Sequence, residues 1–263
     1  GTTFNATSFT TANNDLYINN GSNYVVWAWK GNGTGTAVSN TDGSINSTVS
    51  ANTTAGFSIV SYTGNQTNGA TIGHGLNEIP QMIIYKNRSV TDDWSVYTET
   101  VGTGKKLFLN DTAAEASTSN HPTTPTNSVF YVGAGVEVNG NGNSMLAFCF
   151  HSVEGYSKCG SHTGNGSTDG TFVYTGFRPA FVMVKRVDGG NGWNIHDSIR
   201  GNFNVNNKTL QPNTNGAEGT GASIDFLSNG LKFRDAGNSQ NGSGASYIYM
   251  AFAEAPFKYA NAR

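Results

Sequence analysis

Residues 80–94, PQMIIYKNRSVTDDW, decide the fold of this chain, because the same pattern of residue types recurs 99 residues later. The later stretch, residues 179–193, reads PAFVMVKRVDGGNGW and again has a leading proline, an apolar run, a lysine and a closing tryptophan. The shared positions are Pro80, Lys86 and Trp94 in the first stretch and Pro179, Lys185 and Trp193 in the second. A proline before an apolar run favours an extended entry to a strand. The pattern therefore predicts two copies of one strand–turn–strand unit.

The repetition extends well beyond this stretch. YTGN at residues 62–65 recurs as HTGN at residues 162–165, and MLAFCF at 145–150 recurs as IYMAFA at 248–253. Agreement in order and spacing over a unit of about 100 residues indicates a duplicated module. We predict module 1 at residues 56–157 and module 2 at residues 158–263.

Strand signals run along the whole chain. Short apolar runs alternate with turns rich in Gly, Asn, Ser and Thr, and almost no segment carries a helical period. The predicted fold class is all-β, with two tandem antiparallel β-sandwich modules preceded by a β-hairpin and a connector.

The two segments before the modules are predicted from shorter signals. Residues 1–30 carry LYI (16–18) and YVVWAW (24–29), which resemble the final hairpin of a module. This hairpin is either the terminal hairpin of an upstream β unit or completes a neighbouring sheet. Residues 31–55 are interpreted as a connector, part of which is open to pairing as an edge strand.

Composition narrows the partners of this chain. Only 12% of its residues are charged, the net charge is −2, and 34 residues are glycine. Nucleic-acid binding depends on clustered Lys and Arg, so no nucleic-acid partner is expected. The sequence contains no run of 18 apolar residues, so membrane insertion is not expected. Cys149 is expected to be a buried free thiol, while a bridge to Cys159 stays open.

One cluster invites an enzymatic interpretation. His74 lies in a glycine loop shortly before Asp92 and Asp93, and such residues can act as general acids and bases. In the second copy the two aspartates are replaced by Asn191 and Gly192, and no histidine matches His74. The shared Pro, Lys and Trp favour a structural interpretation of the stretch. We predict no catalytic residues, no metal site and no cofactor.

WNIHD at residues 193–197 is the best candidate binding segment. Trp193 could stack on a sugar ring while Asn194, His196 and Asp197 hydrogen-bond its hydroxyls. The competing interpretation places Trp193 and Ile195 inward on alternate positions and leaves Asn194 and His196 solvated. The four candidate glycan-binding residues are Trp193, Asn194, His196 and Asp197.

Several long motifs carry a family resemblance. These are AVSNTDGSINSTVSANTTAGFSIVSYTGN (37–65), ATIGHGLNEIPQMIIYKNRS (70–89), YVVWAWK (24–30) and the ending YIYMAFAEAPFKYANAR (247–263). They resemble a module common in structural proteins of marine tailed phages, including cyanophages and pelagiphages, over nearly all of residues 22–263. The resemblance implies a tail fibre or virion structural protein in which this region follows other β domains, often lectin-like. It transfers no catalytic residue.

From these signals we expect a non-enzymatic virion protein on the phage particle surface. Its expected partners are other virion proteins, further copies of itself (as a trimer, by analogy with fibres) and a host surface glycan. The alternative is a capsid decoration or capsid fibre protein without a specific ligand. A polysaccharide depolymerase is a third interpretation, which would require a carboxylate pair across a cleft.

Overall fold

The computed structural model describes residues 3–4, 9–10, 23–31, 36–201 and 203–254. The all-β prediction is confirmed, because every regular element in these residues is a strand except one four-residue helix. The elements, in chain order, are β1 (Thr3–Phe4), β2 (Phe9–Thr10), β3 (Val38–Asn40), β4 (Ser47–Asn52), β5 (Phe57–Thr63), β6 (Ala70–Gly73), β7 (Met82–Asn87), β8 (Ser95–Thr98), β9 (Lys105–Phe108), β10 (Ala116–Ser117), β11 (Val129–Val132), α1 (Val136–Asn139), β12 (Ser144–Phe150), β13 (Ser157–Thr163), β14 (Phe172–Tyr174), β15 (Pro179–Arg186), β16 (Asn194–Asp197), β17 (Ile224–Leu227), β18 (Gly230–Phe233) and β19 (Ser246–Ala253).

Residues 1–30 form one compact unit and residues 31–263 form another. In the first unit, β1 and β2 make an antiparallel hairpin in which Phe4 pairs with Phe9. The predicted hairpin was a different one. Its first segment, 16–18, lies outside the described residues, and its second segment, 24–29, contains no strand. The strand predicted at 24–29 is therefore wrong.

Module 1 is built on a large antiparallel sheet of eight strands, in the order β10-β9-β8-β7-β12-β5-β4-β3. A small sheet, β11-β6, covers one of its faces, and the core between them contains Val60, Ile83, Phe130 and Ala147. The two strands from the predicted connector, β3 and β4, extend this sheet beyond β5. The edge pairing that was left open for part of the connector at 31–55 is thus found, as an edge hairpin of the module from residue 38 onward.

Module 2 repeats the central part of this plan. Its larger sheet has the order β13-β19-β15-β16, and a three-stranded sheet, β14-β18-β17, covers one face. Each strand of the larger sheet corresponds to a strand of module 1 in the same place: β5, β12, β7 and β8. Among the described residues, no strand pairing joins the two modules. The residues that repeat in the sequence therefore belong to four strands that have the same order in both modules.

A buried asparagine holds the same turn together in both modules. In module 1, Asn139 Oδ1 accepts the backbone N–H of Asn65 at 2.9 Å, and Nδ2 donates to the carbonyl oxygens of Thr67 and Gly133, both at 3.0 Å. In module 2, Asn241 makes the corresponding contacts, with Asn165 N at 3.1 Å, Ser167 O at 2.9 Å and Asp235 O at 2.8 Å. The asparagine of YTGN and HTGN is thus the partner of a second asparagine about 75 positions later. These hydrogen bonds join the beginning of each module to its end.

The larger sheets of the two modules pack against each other through their outer faces. Along β15, Val182 and Val184 belong to the core of module 2, whereas Phe181 and Met183 point the other way and are equally buried. Across the contact, the rings of Phe150 and Phe252 lie 6.2 Å apart, edge to face. These two residues occupy corresponding positions in β12 and β19. The result is four layers of sheet: small, large, large and small.

Candidate functional site

Trp193 does not form the exposed sugar-stacking surface that the sequence suggested. It is 1% exposed, and its indole Nε1 donates to the carbonyl oxygen of Phe108, at the end of β9 in module 1, at 2.8 Å. Nearby, Lys185 Nζ donates to Thr112 O at 3.1 Å. Burial lowers the pKa of Lys185 to about 8. Trp193 therefore seals the contact between the modules.

The other three candidate residues are also buried, on the inner side of β16 or at its end. His196 is 0% exposed, and its Nε2 donates to Gln240 Oε1 at 2.9 Å. The Asp197 carboxylate accepts the backbone N–H of Arg200 at 2.8 Å and its guanidinium Nε at 2.5 Å. The sugar-stacking interpretation needs correction. The competing one is right about the burial of Trp193 and Ile195 but wrong about Asn194 and His196, because β16 is covered on both faces and neither of these residues is solvated.

Asn194 nevertheless leads to an open site. It lies at the floor of a surface cavity of about 410 Å³ in module 2. Its Oδ1 accepts Gln211 Nε2 at 3.2 Å, and its Nδ2 donates to Ser239 O at 3.3 Å. The complete lining is Asn194, Thr209, Gln211, Thr214, Gly216, Ala217, Gly219, Gly221, Ala222 and Ser239.

The cavity is open because module 2 has small side chains where module 1 has large ones. In module 1, Lys106 forms an ion pair with Glu137 and lies over the ring of Phe108, with Nζ 4.5 Å from the ring centroid. The bridges Ala116–Lys106 and Gly219–Thr209 place Thr209 at the position of Lys106. The same offset puts Gln211 at the position of Phe108, and the match of Asn139 with Asn241 puts Ser239 at the position of Glu137. These exchanges remove the groups that fill this space in module 1.

The lining is polar and uncharged. Hydroxyls, side-chain amides and the backbone of four glycines or alanines on the exposed rim offer both donors and acceptors. The single carboxylate in the rim segment, Glu218, is engaged in ion pairs with Arg200 at 2.9 Å and Lys208 at 3.1 Å. Those cations lower the pKa of the Glu218 carboxyl. The site is therefore suited to a neutral ligand with many hydroxyl or amide groups.

The His74 and aspartate cluster is distributed among separate structural contacts. His74 is fully buried, with Nε2 3.1 Å from Thr126 O and Nδ1 accepting the backbone N–H of Leu76 at 3.2 Å. Burial lowers the pKa of its imidazole. Asp92 offers its carbonyl oxygen to Lys86 Nζ at 2.5 Å, and Asp93 accepts Asn110 Nδ2 at 2.8 Å.

Three further histidines lie inside the modules as neutral groups. Burial lowers the pKa of His121 to about 3 and the pKa values of His162 and His196 to about 4. In the described part of the chain, no cluster of three His, Cys, Asp or Glu residues could hold a metal ion. Cys149 and Cys159 are both free thiols, which settles the pairing that the sequence left open.

Sequence reasoning missed Thr209, Gln211 and Ser239, which line the cavity. Each is an ordinary polar residue in a polar chain, so composition and motifs do not mark it. The signal that could have found them is the internal repeat: at three corresponding positions, a lysine, a phenylalanine and a glutamate become shorter or uncharged side chains. Such a coordinated loss of volume between copies predicts a gap in the packing.

Comparison with known proteins gives one match. No curated protein and no solved structure is similar to the chain. No helix among the described residues is long and apolar enough to cross a membrane. Residues 2–256 match the family described as Domain of unknown function (DUF7483), and because this match spans almost the whole length, the chain belongs to that family.

Proposed function

We propose that this protein is a structural component of a phage virion, of the tail-fibre or receptor-binding type, and that module 2 binds a neutral host surface glycan. The observation that carries the binding role is the cavity of about 410 Å³ with its uncharged lining. Sugars present hydroxyls in fixed directions, and the amides of Asn194 and Gln211 can serve both donors and acceptors among them.

The scaffold around the cavity suits repeated weak binding. Asn194, at the floor, belongs to strand β16, which is buried on both faces, so its amide is held in place before a ligand arrives. A virion displays many copies of its structural proteins, and several weak sites acting together raise the avidity by orders of magnitude. The virion assignment itself rests on the sequence resemblance described above.

The binding role can be tested with a glycan array, followed by titration calorimetry on any sugar that binds. The double variant Thr209→Lys/Ser239→Glu introduces the side chains of module 1 and should abolish binding by filling the cavity. Its control is Ser39→Glu/Thr48→Lys, which adds the same charges at an exposed cross-strand pair in β3 and β4. Binding that survives the cavity variant, or is confined to charged glycans, would contradict the proposal.

The virion role needs a separate measurement. Purified protein in large excess should reduce adsorption of the corresponding phage to host cells, and the cavity variant should not. Electron microscopy with a specific antibody should place the protein on the tail. Labelling of the capsid lattice, together with unchanged adsorption, would favour the capsid decoration alternative.

A further inference from the structure

The ion pair that fills the module 1 position is part of a three-residue cluster. The Glu137 carboxylate accepts Lys106 Nζ on one oxygen and Asn120 Nδ2 on the other, the latter at 2.5 Å. The amine and the amide are therefore held side by side by one carboxylate. We propose that Lys106 and Asn120 form an intramolecular isopeptide bond, with Glu137 transferring the proton.

The backbone is shaped to bring this cluster together. A side chain at Gly135 would place its Cβ 2.0 Å from Asn120 Oδ1 and 2.7 Å from the Glu137 carboxylate. Only a residue without a Cβ allows the amide and the carboxylate to approach over this position. Asn120 is also anchored through its main chain, because its carbonyl oxygen accepts the N–H of Gly133 at 2.9 Å.

The surroundings keep most solvent away from the cluster. Asn120 is 3% exposed, and the side chains of Lys106 and Glu137 are 16% and 17% exposed. The ring of Phe108 covers the Lys106 ammonium. The buried neutral imidazole of His121 lies close enough that the charges of Lys106 and Glu137 both influence its pKa.

The reaction balances without any further reagent. Glu137 takes a proton from the Lys106 ammonium, and the free Nζ attacks Cγ of Asn120. The Nζ–Cγ bond forms and the Cγ–Nδ2 bond breaks. Glu137 passes both protons that Nζ gives up to Nδ2, which leaves as ammonium, so that the Glu137 carboxylate is restored. The amide is the acceptor because a carboxylate anion resists nucleophilic attack, and the fixed geometry supplies the proximity that such a step requires.

Module 2 provides an internal comparison. At the positions of Lys106, Asn120 and Glu137 it has Thr209, Ser223 and Ser239, so all three members of the cluster are absent together. A simple ion pair would need only two of them. All three residues are present in module 1 and all three are replaced in module 2, as expected for three groups that act together.

Mass spectrometry tests this inference directly on the full chain. The intact protein, unfolded in urea, should weigh about 17 Da less than its sequence, for the loss of ammonia. Cleavage after Glu115, which lies between the two residues, should leave two peptides joined through Lys106 and Asn120. Joined peptides are decisive, because a succinimide at another asparagine gives the same mass change without a link.

Two variants assign the roles. Lys106→Arg keeps the positive charge and should show the full mass, while Glu137→Gln keeps the shape and should show the full mass or a much slower loss. An unmodified wild-type protein would overturn the inference. So would a loss of about 18 Da mapped to Lys106 and Glu137, because the carboxylate would then be the acceptor. A complete link in Glu137→Gln would refute the role of Glu137.

Discussion

The indole Nε1 of Trp193 lies 2.8 Å from the carbonyl oxygen of Phe108, so a residue of module 2 is held by the backbone of module 1. The corresponding tryptophan of module 1, Trp94, is only half-buried and stacks on Phe148 with ring centroids 6.4 Å apart. Two residues in the same place of the same repeat thus have different roles. One supports the contact between modules, and the other packs within its own sheet.

Replacing Trp193 by Phe should therefore cost more than the same change at Trp94. At position 193 it removes a buried hydrogen bond and leaves a gap, with an expected loss of about 2–4 kcal/mol in the free energy of unfolding. Trp94→Phe should cost about 1 kcal/mol or less, because its ring is partly solvated. Urea denaturation of both variants measures the difference. Equal losses would mean that the Phe108 contact contributes nothing.

The buried asparagines give a second prediction. Asn241→Asp places a carboxylate against the carbonyl oxygens of Ser167 and Asp235. An uncompensated buried charge of this kind should lower the free energy of unfolding by about 3–5 kcal/mol. Asn139→Asp should do the same in module 1. The exposed Asn238→Asp is the control and should change stability little; a comparable loss there would show that charge alone is responsible.

The neutral histidines predict a loss of stability in acid. The pKa is about 6.5 for an ordinary histidine, but about 3 for His121 and about 4 for His162 and His196 in the folded chain. Below pH 6.5 the unfolded chain therefore binds protons that the folded chain does not. Stability should be complete above pH 6.5 and fall by roughly 1.4 kcal/mol per pH unit for each histidine, down to about pH 4.

The first module supplies the matched variant for this experiment. His162 Nε2 donates to Gln240 O at 2.9 Å, and Tyr62, at the corresponding position, donates its hydroxyl to Val138 O at 2.5 Å. His162→Tyr should keep this contact and the ring packing while removing one titrating group. Denaturation curves between pH 7 and 4 should then show a shallower slope. An unchanged slope would mean that His162 is not a source of the acid sensitivity.

The glycines of the TGN motif give a fourth prediction. A Cβ at Gly164 would lie 2.2 Å from the carbonyl oxygen of Gly242, which is rigid backbone. Gly164→Ala should therefore destabilise the protein by about 2 kcal/mol or more, because the turn held by Asn241 must shift. Gly221→Ala is the control, since a Cβ there meets no atom within 4 Å. Thermal unfolding of the two variants should differ clearly, and similar melting temperatures would contradict this account.

The fold could be predicted to the extent that local patterns determine it. The apolar runs at β7 and β15 were visible because both faces of these strands are buried. The hairpin of β3 and β4 could only be left open as an edge pairing within a connector, since its short polar segments carry little strand signal. It becomes part of the sheet because β5 offers it a free edge, which is a property of the tertiary structure.

The candidate site was harder to predict for a related reason. Trp193, Asn194, His196 and Asp197 contain the chemistry of a sugar site, but alternation along β16 could only say which side chains share a face. It could not say that module 1 covers the outer face and Gln240 the inner one. The cavity depends on the side chains that are missing at Thr209 and Ser239, and only a comparison with the corresponding positions of module 1 reveals what is missing.

The contact between Phe150 and Phe252 has a consequence for how the molecule responds to dilution. Corresponding faces of two related sheets meet there, as in a symmetric dimer, but both halves belong to one polypeptide. A dimer of separate modules would dissociate as its concentration fell. Here the short segment 151–156, between β12 and β13, tethers the partners, so their effective concentration stays in about the millimolar range however few molecules are present. The contact between the two modules therefore does not depend on the concentration of the protein.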